Sequence, residues 1–334
     1  MSEVRRDPIV LSRVSVISPM RGLRPKEVTL IRHESPQITT CPFCPGNEFM
    51  TPPATLVVKS VDGNITYLRE DSDFRVSNWL VRVVPNKYPI FTQSNVEGYG
   101  YHEVVIEHPS HTIKLHDIPI KHLTLIIQAI IFRINDLLKD PKILHTYIFK
   151  NYGGGGGASL AHPHTQLVAT SIITPSVVEE LRFSKRLYKR LGKCPYCRLI
   201  SNEVKSPRLI YMNNSFAIIA PYAPRNPYET MIIPLTHSPT LLKMSNEEIT
   251  ALADVLNKLL TSYNICLGDI DFNFWIHIAP KGIGDEYYHW HIEFLPTTTL
   301  WGGLEKGGNV YVVTTKPEDY SKELREALRK LRRD

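Results

Sequence analysis

Two segments of the chain follow one plan, and that plan constrains the fold more than any other feature. Each begins with C-x-x-C: Cys41/Cys44 in CPFC, and Cys194/Cys197 in CPYC. Each continues through two runs rich in Val, Ile, Tyr and Phe. These are NWLVRVVP and YHEVVIEHPSH in the first segment, NSFAIIAP and YETMIIPLTH in the second. Branched and aromatic side chains pack well on a pleated surface, so these runs read as strands. Glu103 precedes His111 by eight residues, as Glu229 precedes His237. A helical pattern comes next, PIKHLTLIIQAIIFRINDLLKD or NEEITALADVLNKLLTSYN. The second of these opens behind Ser245, with Glu247 and Glu248 suited to a capped start. Each segment ends on H-x-H, His162/His164 or His289/His291, and His111 to His162 is 51 residues where His237 to His289 is 52. Five landmarks recurring in order mark a duplicated unit. The predicted fold is α+β, a tandem pair of mainly antiparallel sheets with flanking helices. The units are residues 1–180 and 181–334, with a helical connector over 175–193.

Bulk properties narrow the function. With 334 residues, 43% hydrophobic and 22% charged, the chain reads as a globular protein able to bury a sizeable core. It has no apolar run of about 18 residues, so no membrane association is expected. The start, MSEVRRDPIV, lacks the apolar stretch of a signal peptide, and the cytoplasm is the expected compartment. The net charge of +6 is modest, and no basic cluster is interleaved with aromatic residues. Nucleic acid is therefore not an expected partner, whereas phosphorylated small molecules suit a mildly basic protein.

In a cytosolic chain, two C-x-x-C pairs favour zinc over disulfides. A thioredoxin-like redox role competes for a single C-x-x-C, but two copies with downstream histidines argue against it. Cys266 stands alone and reads as a small apolar residue. The repeat nominates Cys41, Cys44, His111 and His162 as one ligand set, and Cys194, Cys197, His237 and His289 as the other. Two thiolates and two imidazoles close a zinc tetrahedron, leaving no open position, so the expected role is structural. Such ligands do not suit magnesium or calcium.

The stretch AHPHTQL follows NYGGGGGASL. On a strand, His162, His164 and Gln166 would share one face. With His162 committed to metal, His164 is free. A neutral imidazole is a competent nucleophile near pH 7, and attack on phosphorus gives a covalent intermediate suited to group transfer. Gln166 can donate an amide hydrogen to a phosphoryl oxygen, but it cannot act as an acid. It therefore suits a leaving group that is already good, such as a sugar phosphate. The glycine run, Gly156 and Gly157 included, would bring backbone N–H groups close to phosphate oxygens. Ser159 and Asn151 add polar groups beside it. Transfer of a nucleotide-monophosphate group through His164 is the reaction these residues suggest. The competing readings are a nucleotide hydrolase, which Gln166 speaks against, and a zinc-stapled nucleotide-binding module without catalysis.

Over nearly its whole length the chain resembles the galactose-1-phosphate uridylyltransferase family, within the histidine-triad superfamily. The resemblance rests on SPMRGLRP (18–25), CPFCPGNE (41–48), VPNKYP (84–89), HPSH (108–111), NYGGGGGASLAHPHTQ (151–166) and HWHIEFLP (289–296). It implies histidine-triad-like halves, galactose metabolism and a double displacement. His164 would take a uridylyl group from UDP-glucose, releasing glucose 1-phosphate, and galactose 1-phosphate would then collect it as UDP-galactose. It assigns Gln166, Ser159 and Asn151 to the phosphates and the intermediate. It places Arg21 and Arg24 near the nucleotide and Glu305 on sugar hydroxyls. Asn86, in VPNKYP, is a candidate ribose or base contact. A homodimer is also implied. The familiar bacterial members would hold a second metal at Glu180, His277, His289 and His291. The chain's extra Cys194, Cys197 and His237 resemble a branch that includes ADP-glucose phosphorylases, where the second site is a cysteine–histidine zinc site. That branch allows an adenylyl version of the chemistry, and the second metal is zinc or iron. Elemental analysis of the purified protein is expected to find about two zinc ions per chain; a single ion would remove the second tetrahedron.

Overall fold

The structure is a computed structural model and describes residues 2–23 and 40–330. Strands β1 (Glu3–Arg6) and β2 (Val14–Ile17) pair as a hairpin. The first repeat follows as β3 (Leu56–Val61), β4 (Asn64–Leu68), β5 (Trp79–Pro85), β6 (Gly100–Ile106), α1 (Ile120–Leu137), β7 (His145–Tyr152) and β8 (His164–Thr170). Helices α2 (Pro175–Leu191) and α3 (Pro195–Glu203) lead to the second. That repeat contains β9 (Leu209–Met212), β10 (Phe216–Ile219), β11 (Thr230–Pro234), α4 (Asn246–Leu267), β12 (Phe272–His277) and β13 (His291–Pro296). A short α5 (Gly303–Gly308), β14 (Val310–Val313) and α6 (Pro317–Lys330) close the chain. β14 joins β2 in parallel and completes a three-stranded sheet.

The remaining eleven strands form one sheet in the order β4-β3-β5-β6-β8-β7-β12-β13-β11-β10-β9. Every pairing in it is antiparallel. Reading outward from the β7–β12 pair, β8, β6, β5 and β3 on one side match β13, β11, β10 and β9 on the other. The duplication read from the sequence therefore appears as a pseudo-twofold within one sheet. The expected boundary at residue 180 falls inside α2, the connector.

Alternation sorts the side chains of each strand between two faces. Val105, Ile148, Leu167, Ile232, Ile276 and Ile292 turn to one face and are buried with Ile126 and Ile130 of α1 and Leu252 and Leu259 of α4. Burying each such side chain contributes about 1.5–3 kcal/mol. α4 starts with a reciprocal capping box between Ser245 and Glu248 and stops at Gly268, whose φ of 72° suits glycine. On the opposite face, α2 and α3 cover the second repeat, with Val177, Leu181, Tyr196 and Ile200 against Ala217, Ile219 and Met231. There the first repeat is covered by the C-x-x-C loop, with Phe43 packed on Val57, Val84, Val104 and Ile106. No helix among the described residues is long and apolar enough to cross a membrane.

The repeated glutamates prove to be buried partners of arginine. The Arg133 guanidinium on α1 donates to both Glu103 oxygens at 2.8 and 3.0 Å, and Arg225 Nε donates to Glu229 at 2.8 Å. Removing one member of such a pair strands a charge in a dry interior, which costs about 3–5 kcal/mol. Arg133→Met is expected to lower the unfolding free energy by that amount, read as a lower urea midpoint with the slope of the transition unchanged. A change below about 1 kcal/mol would show that the pair is dispensable.

Candidate functional site

The loop after residue 40 and the turn before β8 bring Cys41, Cys44, His111 and His162 together, with all four donor atoms within 4.8 Å of one another. Cys44 Sγ lies 3.5 Å from His111 Nδ1 and 3.6 Å from His162 Nδ1, and Cys41 Sγ lies 3.8 Å from the latter. A zinc tetrahedron with ordinary Zn–S and Zn–N bonds has S···N edges of about 3.6 Å, so the spacing fits that ion. His162 Nε2 donates to the His108 carbonyl at 2.7 Å, which leaves the Nδ1 lone pair facing the sulfurs. Burial and the adjacent Cys41 push the Cys44 thiol up to about 11, so holding both thiolates calls for a cation. The β8 ladder starts at His164, not His162. His162 stands in the preceding bend, turned toward the cysteines, while His164 and Gln166 alone share the strand face.

The second repeat builds the same object. Cys197 Sγ lies 3.4 Å from His237 Nδ1 and 3.8 Å from His289 Nδ1, with Cys194 completing the group. His237 and His289 donate Nε2–H to the carbonyls of Asp285 and Pro234 at 2.7 and 3.0 Å. His289 thus belongs with the cysteines. Glu180, His277 and His291 form a separate buried group with Glu293, whose donor atoms again lie within 4.8 Å. There Glu180 accepts from His277 Nδ1 at 2.9 Å and Tyr288 Oη at 2.6 Å. Glu293 accepts from Arg225 and Trp275 at 2.8 Å and from Arg13 at 3.3 Å. Although burial works against it, the Arg225 and Arg13 guanidinium groups hold the Glu293 carboxyl well below the usual range.

The register makes His164 and Gln166 the counterparts of His291 and Glu293, and Asn151 that of His277. The two positions face very different space. His164 and Gln166 line an open cavity of about 360 Å³ with Phe43, Met50, Asn86 and Ser159. Beside His291 and Glu293 the space is about 20 Å³, because Asp7, Ile9, Val10 and Arg13 of the N-terminal segment fill it. His164 Nδ1 donates to the His162 carbonyl at 2.8 Å, which fixes the tautomer and leaves the Nε2 lone pair free. Burial, helped by the Lys150 ammonium, holds this imidazole below its usual pKa and therefore neutral. His102, which sequence reasoning missed, orients Gln166. Its Nδ1 accepts from the Ile90 amide at 3.2 Å, so its Nε2–H points at Gln166 Oε1, 2.9 Å away. The Gln166 amide nitrogen is then the end available to an incoming oxygen.

The glycine loop works differently from expectation. The amides of Gly156, Gly157 and Ala158 donate to carbonyls of Gly153 and Gly154, and that of Gly155 to Asp271 at 2.6 Å. Those expected to face a phosphate are thus engaged within the loop and with Asp271. Glycine is required at 153, where φ is 73° and a side chain would strike the Asp271 carboxylate. At Gly156 a Cβ would lie 2.7 Å from the Phe272 carbonyl. Ser159, beyond the run, reaches the cavity, whereas Asn151 accepts from Asn273 at 2.8 Å and does not line it. Arg21 lies in the exposed turn Pro19–Leu23 after β2, and Glu305 lies in α5 before β14. Both adjoin strands of the small sheet in the chain, and neither lines the His164 cavity. Arg24 falls outside the described residues.

Known proteins resemble this chain over nearly its whole length. Residues 24–174 match the family described as galactose-1-phosphate uridyl transferase, N-terminal domain. ADP-glucose phosphorylase of Arabidopsis thaliana is 30% identical over 97% of this chain and 92% of its own length. Galactose-1-phosphate uridylyltransferase of Thermotoga maritima is 27% identical over 98% of each chain. A crystal structure of an Arabidopsis thaliana ADP-glucose phosphorylase with bound ADP-glucose superposes with a TM-score of 0.84 at 30% identity, covering 98% of both chains. The chain belongs to the galactose-1-phosphate uridylyltransferase family, and its likeness to ADP-glucose phosphorylase runs from end to end.

One buried group near the Glu180 cluster reports on acid stability. Burial, reinforced by nearby His277, lowers the His145 pKa to about 4. An unfolded histidine titrates near about 6.5. The folded value is the lower, so the stabilisation is complete above about pH 6.5 and is lost as pH falls toward 4. Urea unfolding at pH 7 and pH 4.5 is expected to show a smaller acid loss in His145→Leu than in the unsubstituted protein, by up to a few kcal/mol. Equal losses would remove His145 from the account.

Proposed function

We propose that this protein is a nucleotidyltransferase working by ping-pong through a covalent nucleotidyl-His164. The observation that carries the reading is an open cavity holding a neutral histidine with a free Nε2 beside an oriented glutamine amide. His164 Nε2 attacks the α-phosphorus of a nucleoside diphosphate hexose. The P–N bond forms as the P–O bond to hexose 1-phosphate breaks, and the leaving phosphate needs no proton from Gln166. The Gln166 amide holds a non-bridging oxygen of the intermediate. A second phosphate oxygen then attacks from the acceptor and frees His164. The family's name supports a uridylyl group moving from UDP-glucose to galactose 1-phosphate. A second reading, ADP-glucose with inorganic phosphate as acceptor, is supported by the end-to-end likeness to ADP-glucose phosphorylase and by the second Cys₂His₂ group.

In this reading each Cys₂His₂ group holds a structural zinc ion, fixing the start of β8 or β13, and the chemistry belongs to His164. Arg21 and Glu305, which flank the small sheet and do not line the His164 cavity, suit a homodimer in which one copy serves the cavity of the other. Incubation with UDP-glucose or ADP-glucose labelled in the nucleoside, without acceptor, is expected to leave an acid-labile, base-stable adduct with one of the two. His164→Asn is expected to abolish it. Failure of both nucleotides to label the protein would overturn the transferase reading.

A further inference from the structure

Lys150 and Glu107 form an ion pair in the apolar interior, on the helix-covered face directly behind His164. Both are buried, with Nζ and Oε2 2.7 Å apart. Lys150 Nζ also donates to the His164 carbonyl at 2.8 Å. Glu107 Oε1 accepts from Thr165 Oγ1 at 2.5 Å, and the Glu107 amide donates to the Pro163 carbonyl at 3.1 Å. His122 of α1 donates in turn to the Glu107 carbonyl at 2.6 Å. Behind the pair lies a cavity of about 70 Å³, walled by Ile126, Ile130, Leu252, Phe274 and Trp290 among other apolar residues. Taking an ammonium and a carboxylate out of water is costly unless both are well bonded.

The fold does not require the pair. By register with the H-x-H strands, Lys150 and Thr165 correspond to Ile276 and Ile292, both in the main core. The second repeat therefore builds the same strands and the same Cys₂His₂ group with apolar residues at these positions. The two repeats differ in what their second H-x-H histidine faces: His164 an open cavity, His291 a filled one.

The backbone shows what the pair does. The β7–β8 ladder ends at Phe149↔Gln166, while β7 continues along β12 to Tyr152↔Phe272. The His164 carbonyl therefore points into the gap where the two strands part, and the Lys150 ammonium takes the place of a strand amide there. We propose that Lys150 and Glu107 are positioning residues for His164, tethering the main chain at 163–165 so that the imidazole meets phosphorus along one fixed line. This rests on the reading of His164 as the nucleophile and extends it. Misplacing a reacting group by 1 Å costs on the order of 10²-fold in rate.

The test is a double variant, Lys150→Met with Glu107→Leu, which leaves no unpaired charge, and a separate Thr165→Val, which is isosteric and cuts one tether. Single-turnover labelling of His164, the nucleotide-sugar concentration at half saturation, bound metal and the melting temperature are read for each. The double variant is expected to keep its metal and its half-saturation within about twofold, while labelling slows about 10–100-fold. Thr165→Val is expected to slow it less. Native labelling rates in both variants overturn the positioning role, as does a loss confined to half-saturation or to metal content. If the unsubstituted protein forms no adduct, the nucleophile reading fails and this proposal with it. Native labelling in the variants sinks the positioning role alone.

Discussion

The backbone hydrogen bonds between β7 and β12 are the interaction on which the rest of the structure depends. They join two repeats into one sheet and cover what would otherwise be two open strand edges. With those strands in the centre, β8 and β13 flank them and both H-x-H motifs lie close to the pseudo-twofold. α1 and α4 pack side by side over one face, and the cavity lined by His164 opens on the other. The face a side chain occupies is decided by its parity along the strand. That places His164 and Gln166 beside the cavity and Lys150 and Thr165 behind it, although all four come from two adjacent strands.

The symmetry of the scaffold makes the asymmetry of the chemistry plain. Asn151, His164 and Gln166 meet His277, His291 and Glu293 at matched register positions. An amide beside a neutral histidine welcomes an anionic phosphate. A carboxylate in the same place repels one, and Glu293 is already held by Arg225, Arg13 and Trp275. The two repeats thus share a frame and differ in what it holds at these positions.

Much of this was legible in the sequence. Periodicity located both long helices and the strands around them, and the matched C-x-x-C, His and H-x-H spacings nominated two four-residue groups that the structure brings together. Those signals are local or repeat at fixed offsets, so one chain suffices to read them. Other features depend on which strands become neighbours. His102 carries no motif, and it meets Gln166 only because β6 pairs with β8. Asp271 closes on the glycine loop only because β7 pairs with β12, which is why the loop was read as reaching for phosphate. Glu293 meets Arg13 and Arg225 only because the N-terminal segment and the turn before β11 close on β13. The resemblance supplied Arg21 and Glu305 as residue types; their distance from His164 is a matter of tertiary placement.

The N-terminal segment that fills the second repeat's cavity also fixes the attitude of the small sheet. Asp7 accepts from the amides of Ile9 and Val10 and turns the chain inward. Arg13 reaches Glu293 on the large sheet, Ser15 donates to the Pro224 carbonyl at 2.6 Å, and Arg5 reaches Glu318 at the start of α6. A vacancy in one repeat has become a socket, and the segment seated in it acts as a mortised brace. The ledge bearing Arg21 and Glu305 is therefore set at a fixed angle to the sheet that bears His164. Whatever docks against that ledge meets a bracket pinned to Glu293 of the large sheet and to Pro224.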